Sequence, residues 1–435
     1  METKEKKSAP RWLQLTAAVV GNALEWYDFS VFAFLAVIIS KVFFPVSGEY
    51  TGLLLTLATF GVGFLTRPLG GIVIGIYADR RGRKSALQLI ISLMTASLLL
   101  MVLTPSYNAI GIAAPLLIVL ARLMQGFASG GEFASATAYL VEAAPAGSKG
   151  LYGAWQMFGQ GLSNLAGALS GLLMTSIFSE QELLDGMWRI PFLIGMLIAP
   201  TGWWIRRHLE EPAESVEARA AGEKLALRAT LAKYPRAFAA TLALTTCGTT
   251  SAYIFIIYMP TFVSRKFSIP LSDAFLAQAI GLVAFIAITP FAGALSDRYG
   301  RKVVMLAGLT PYALLIYPLF AWVQSAPTLP SLLLIYTLLS SFLGVFFGPL
   351  STAMGEQFPV AVRSGSLAVS YNFAVMVFGG FAPFIVTWLI QSTGVILAPV
   401  FYTLAGSALG VIGCLLIAPA SRTGHSVAEL KSKAA

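Results

Sequence analysis

The sequence predicts an all-α membrane protein, with twelve transmembrane helices in two pseudo-symmetric six-helix bundles. Three observations carry that expectation. Apolar runs fill almost the whole chain, cations gather in alternate connections, and one loop motif occurs twice about half a chain apart.

Hydrophobic residues make up 57% of the 435 and charged residues only 11%, where a soluble domain is about a quarter charged. The first set of apolar runs lies near 12–40, 51–77, 85–104, 109–138, 150–177 and 188–205. The second lies near 237–263, 273–295, 303–323, 330–354, 365–390 and 396–418. Crossing about 30 Å of hydrocarbon takes roughly 20 residues at the helical rise, and the runs meet that length. Barrel strands would show as short alternating segments instead. Domains follow as a tail at 1–11, a first bundle at 12–205, a charged linker at 206–236, a second bundle at 237–418 and a tail at 419–435. The apolar run after the lysine-rich start is too long for a signal peptide and is expected to be a retained span.

The formal charge of +9 is informative through its placement. With the N-terminus inside, 23 of the 29 lysines and arginines fall on one side, among them Lys4, Arg80, Arg83, Lys149, Arg206, Arg236, Arg301 and Arg363. That is the positive-inside pattern. It predicts both termini in the cytoplasm, and it makes the basic balance a matter of topology, so no nucleic-acid partner is expected. Cys247 and Cys414 fall inside spans, and His208 and His425 lack metal-ligand spacing, so neither disulfides, a metal nor another cofactor is expected. Two lone histidines also leave no catalytic cluster for a membrane-embedded enzyme.

The repeated loop fits G-x-x-x-D-R-x-G-R-K, at Gly75 to Lys84 after the second span and Gly293 to Lys302 after the eighth. Glu142-Ala-Ala-Pro145 is echoed by Glu356-Gln-Phe-Pro359 at nearly the same offset, which argues for duplication. Gly82 and Gly300 suit the tight turn between spans. Asp79 and Asp297 can meet the positive N-terminus of another helix, and Arg83 and Arg301 can pair with Glu142 and Glu356. These six charged residues are expected to gate the conformational change.

The chain therefore resembles the major facilitator superfamily over essentially its whole length. Gly21-Asn22-Ala-Leu-Glu25-Trp26-Tyr27-Asp28-Phe29, Arg67-Pro68-Leu-Gly-Gly71, Arg122-Leu-Met-Gln125-Gly126, Gly130-Gly131-Glu132, Trp188-Arg189-Ile-Pro191-Phe192 and Phe378-Gly379-Gly380 narrow the resemblance to its metabolite:proton symporter family. That resemblance implies two bundles rocking around a central cavity in a bacterial inner membrane, carrying substrates such as citrate, 2-oxoglutarate, shikimate, proline or betaine.

A charge at bilayer depth costs about 2.5–3.5 kcal/mol even on the insertion scale, so such residues point to function. Glu25 and Asp28 on span one, Arg67 on span two, and Arg122 and Glu132 on span four qualify, all in the first half. No charge lies well inside a span of the second half. By the helical rise Glu25 and Asp28 stand about 21 and 25 Å from Arg11, and Arg122 about 30 Å from Glu142. Helical spacing puts Arg122, Gln125, Ser129 and Glu132 in one stripe, and Gln156, Gln160 and Asn164 in another. Tyr253, Tyr371 and Asn372 are polar candidates from the second half. Gly71-xxx-Gly75, Gly126-xxx-Gly130 and Gly167-xxx-Gly171 read as close helix contacts.

Uptake of a small organic anion with a proton is the function expected. A di- or tricarboxylate such as citrate would be held by Arg122 with Arg67, joined by Gln125, Gln156, Gln160, Asn164, Tyr253, Tyr371 and Asn372. Asp28 or Glu25, with Glu132, would carry the coupled proton. A zwitterionic osmolyte and a shikimate-like or aromatic acid are the alternative substrates, and a non-transporting receptor is the alternative class. A monomer in the lipid bilayer is expected.

Overall fold

The structure, a computed structural model, describes residues 11–45, 49–81, 83–196 and 232–418. The side chains of Glu25, Asp79 and Arg83, most of the linker and both tails lie outside the described residues. Helices are the regular elements throughout what is described.

In the first half, α1 comprises Arg11–Phe34 and Ala36–Phe43, α2 Glu49–Leu65 and Arg67–Arg81, and α3 Arg83–Leu103. Then come α4 (Ala113–Ser129 and Glu132–Glu142), α5 (Lys149–Ile177) and α6 (Met187–Met196). In the second half, α7 spans Pro235–Phe267, α8 Leu271–Tyr299, α9 Arg301–Ser325 and α10 Leu329–Gly355. α11 runs from Val360–Ala374 through Val375–Gly379 to Ala382–Thr393, and α12 is Ala398–Leu416. Eight of these are long and apolar enough to cross a membrane, and α1 makes a ninth if its bent arms form one span. Shorter apolar stretches represent α3 and α6, and the 29 residues of α5 are diluted by glycine and amides. Leu103, Phe291 and Leu314 are each at least 70% exposed on the outer faces, which suits contact with lipid tails and not water.

Local chemistry explains the interruptions. Pro68 cannot donate to the carbonyl of Phe64, and α2 breaks at Thr66, just before Arg67. α7 relaxes into a π-helical segment, Ser251–Tyr258, ahead of Pro260, and α11 does the same at Val375–Gly379 ahead of Pro383. α1 bends by 71° at Leu35.

α2 and α4 cross with their backbones nearly touching. A Cβ on Gly126 would collide with the carbonyl of Gly63, and one on Gly130 with that of Arg67. Glycine is required there because any side chain would push the helices apart. The crossing fixes where Arg67 and Arg122 sit relative to each other.

The halves meet on the face that carries the repeated motifs. Asp297 accepts hydrogen bonds from the Gly150 and Leu151 amides at 2.8 and 3.1 Å, so a carboxylate of the second half caps the N-terminus of α5 in the first. Arg301 pairs with that Asp297 at 2.7 Å and with Glu356 at 3.0 Å. Arg363 of α11 donates to Glu142 of α4 at 3.0 Å, a partner for Glu142 that the motif alone does not indicate. Gly300, which ends α8, has φ 88°, the left-handed region that the motif's glycine serves. On the opposite face the ring of Phe34 meets that of Phe275 at 5.7 Å, and the Tyr50 hydroxyl donates to the carbonyl of Thr387. The halves thus touch near both faces.

Two outcomes follow from this packing. Gly126→Leu should wedge α2 from α4 and destabilise the protein by at least the about 1–3 kcal/mol of ordinary overpacking, read as a lower unfolding temperature in detergent. Asp297→Asn should weaken two charge-assisted bonds and speed hydrogen exchange of the 149–152 amides by roughly 10-fold or more, while leaving exchange on the opposite face unchanged.

Candidate functional site

Arg67 follows the break in α2 and lies under α1. Only 2% exposed, its guanidinium sits 4.4 Å from the ring centre of Phe64, 4.8 Å from Trp26 and 4.9 Å from Phe29. Three aromatic faces offset part of the cost of its burial. Its Nε and Nη2 atoms are buried and have no hydrogen-bond partner among the described residues.

Arg122 is fully buried on the neighbouring helix. It lies 3.7 Å over the Phe32 ring and 5.7 Å from Phe29, so Phe29 is shared by both arginines. Nη1 donates to Gln125 at 2.6 Å, the i+3 pair that the stripe on α4 predicts, and Nη2 faces the Met101 sulfur at 3.3 Å. Asp28 is 3% exposed and close enough to interact electrostatically with Arg122. Arg122 therefore points into the first bundle, toward α1 and α3. Arg67 lies nearer the second half, within electrostatic reach of Tyr253. Glu132, half-buried, opens the second segment of α4, and Glu25 lies outside the described side chains.

The stripe on α5 turns largely toward its own bundle. Gln156 accepts from Thr137 at 2.6 Å, donates to the Phe133 carbonyl at 3.1 Å, and its backbone carbonyl takes a bond from Asn22. Both ends of the side-chain amide are thereby bound to α4, and the backbone carbonyl ties α5 to α1. Asn164 accepts from Ser30 at 2.9 Å and donates to the Gln160 carbonyl, whereas the buried Gln160 Nε2 has no partner.

The second half meets this region with rings and an amide. Tyr253, in the π segment of α7, packs at 5.4 Å from Phe64 and 5.9 Å from Phe60, with its buried hydroxyl unpartnered. Tyr371 stacks on Phe133 at 3.7 Å with an interplanar angle of 4°, and Asn372 donates to the carbonyl of Gly130. Thr246, Thr249 and Thr250 bond to carbonyls of their own helix.

Sequence reasoning missed the aromatic housing of both arginines and one neutral group, Gln278 of α8. Gln278 is fully buried with neither side-chain polar atom bonded. A lone amide inside an otherwise apolar span was the available signal, passed over in favour of the tyrosines and Asn372 of α7 and α11. What the site offers chemically is a desolvated cation with unused donors, an acid within electrostatic reach of a second cation, and amides from both halves.

Comparison with known proteins agrees with this architecture. Residues 13–423 match the model of the sugar (and other) transporter family. A citrate-proton symporter of Klebsiella pneumoniae is 37% identical over 377 residues, covering 86% of this chain and 84% of its own. A proline/betaine transporter of Escherichia coli is 32% identical over 412 residues, covering 92% and 81%. Among solved structures, a D-xylose-proton symporter superposes with a TM-score of 0.71 at 18% identity, covering 95% of this chain and 99% of that one, which shows the shared fold. With twelve helices, α1 to α12, among the described residues and a family match along nearly all of its length, the chain is a membrane transporter, not an enzyme, and belongs to the sugar (and other) transporter family of the major facilitator superfamily.

Proposed function

We propose that this transporter takes up a small organic anion together with a proton, by alternating access, and that its substrate is a di- or tricarboxylate. The observation that carries the reading is Arg67, a buried guanidinium with Nε and Nη2 unoccupied. Those two donors lie in one plane and match the two oxygens of a carboxylate. Its relatives include citrate-proton symporters, which supports both the anion and the proton.

Arg67 is the substrate clamp in this mechanism, and Arg122 the partner of the proton-carrying acid. While the site is empty, Arg122 supplies the counter-charge that Asp28 faces. An arriving carboxylate adds negative charge beside Asp28 and favours its protonation. Substrate and proton then occupy the site together, with less uncompensated charge to move when the halves rock. Glu25, one turn before Asp28, and Glu132 are the further acids available for the proton. The face bearing the repeated motifs is cytoplasmic, with both termini, in a bacterial inner membrane, and the working unit is a monomer.

A zwitterionic osmolyte is the second reading. It presents the same carboxylate, and the rings of Trp26, Phe29 and Phe64 would suit its ammonium group. A thermal-shift screen of organic acids and osmolytes on the purified protein, followed by uptake into proteoliposomes, separates the two.

Arg67→Ala should weaken binding of the carboxylate by about 10- to 100-fold, the worth of a charged hydrogen bond, and Arg67→Lys should not restore it, since a lysine has no planar fork. Unchanged affinity in Arg67→Ala would remove the clamp. Asp28→Asn should abolish accumulation driven by an imposed pH gradient yet keep substrate exchange at equal pH. Gradient-driven uptake at the wild-type level in that variant would take the proton away from Asp28.

A further inference from the structure

Gln278 has no role in the account so far, yet it is among the least comfortable side chains in the molecule. It is fully buried, and both Nε2 and Oε1 lack hydrogen-bond partners. An apolar residue would be more stable there in the empty protein, because a buried amide without partners loses its hydration for nothing.

Its direction follows from its neighbours on α8. Phe275 lies against Gly171 of α5 and the ring of Phe34, while Gly281 lies against Tyr336 and Ser340 of α10. Gln278 is three residues from each, which is about 60° around the helix from either. It therefore points into the angle between α5 and α10. The other side of α8 carries Val283 and Phe291, 55% and 76% exposed, and faces outward. Depth follows from the same contact. Starting at the Phe34–Phe275 pair, Asp28 is about 9 Å and Gln278 about 4.5 Å toward the motif face. Gln278 thus stands within about 5 Å of the level of Asp28, on the opposite half. Along the same seam α5 contributes Gln160, whose buried Nε2 is also unpartnered.

We infer that Gln278 is a substrate-binding residue of the second half, which donates from Nε2 to a carboxylate and accepts at Oε1 from a hydroxyl of a hydroxycarboxylate. The inference rests on the anion reading above and narrows it. An amide satisfied at both ends needs a ligand that offers an acceptor and a donor. A hydroxy acid offers both, whereas a trimethylammonium carboxylate has no donor. Sites built to bond a hydroxyl reject the analogue lacking it, because their own polar atom is left bare.

The test uses the full-length protein in detergent, with citrate and propane-1,2,3-tricarboxylate, the same triacid without its hydroxyl, as calorimetric probes. Wild type should favour citrate by about tenfold or more. Gln278→Met, of similar length, should abolish that preference and weaken citrate binding by at least about tenfold, while the unfolding temperature of the empty protein rises. A preference retained in Gln278→Met, no preference in a wild type that binds both acids, or a lower unfolding temperature with unchanged affinity would each overturn the assignment. Should Gln278→Met not fold, Gln278→Asn, which keeps the amide but retracts it, should show a reduced preference, and an undiminished one overturns the assignment. Arg67→Ala serves as the control that separates the two claims. If wild type binds neither acid, or Arg67→Ala binds citrate as tightly, the anion reading itself fails and Gln278 falls with it.

Discussion

Two guanidinium groups held out of water are the constraint around which the molecule is organised. A cation taken from water into a protein interior loses several kcal/mol of effective hydration, and partners must return most of it. Arg122 recovers it from Gln125, the Met101 sulfur, the Phe32 ring and Asp28. Arg67 recovers less, because rings supply only a quadrupole. The two arginines differ in degree. Arg122 has Gln125 and the Met101 sulfur and leaves only Nε bare, whereas Arg67 leaves both Nε and Nη2 without a partner among the described residues.

The rest of the fold keeps that imbalance in existence. Without the close crossing of α2 and α4 at Gly63, Gly126 and Gly130, the two cations could not both lie within about 6 Å of the Phe29 ring centre. Without contacts between the halves, water would reach Arg67 and satisfy it. The network on the motif face is polar. Asp297 holds the N-terminus of α5 through two amides, and Arg301 holds Asp297 and Glu356 together. These contacts are polar and lie at the end of the bundle, where water is the natural competitor for them. An apolar seal of equal area would be harder to open.

Much of this was legible in the sequence. Span count came from apolar run length, and the chemistry of the motif came from an acid, glycines and cations recurring together. The glycine spacing on α4 correctly marked a close contact, and the i, i+3 spacing correctly joined Arg122 to Gln125. What periodicity cannot supply is which neighbour a stripe faces. Gln156, Gln160 and Asn164 share a face of α5, yet Gln156 is consumed by Thr137 and Phe133 while Gln160 keeps a bare Nε2. Nor does a sequence reveal that Arg67 lies among aromatic rings, since Trp26, Phe29 and Phe64 are ordinary membrane residues until the helices cross.

Charge is confined to the first half at bilayer depth, and neutral polar groups represent the second. This asymmetry has a physical logic. If both halves carried buried charges facing the cleft, each opening would separate them and expose the movement to the membrane potential and to large changes in hydration. In the mechanism proposed, having the ions on one side lets the first half carry substrate, proton and counter-charge as one nearly neutral unit. The second half then needs only hydrogen bonds that form when the cleft closes on an occupied site. Tyr253 and Gln278, both buried with unpartnered polar atoms, have the properties such a counterpart requires. In the empty closed state they are left bare, and that raises its energy relative to the loaded one. A transporter that is to avoid leaking protons needs this ordering, because an empty molecule that closes as readily as a loaded one uncouples the gradient from its cargo.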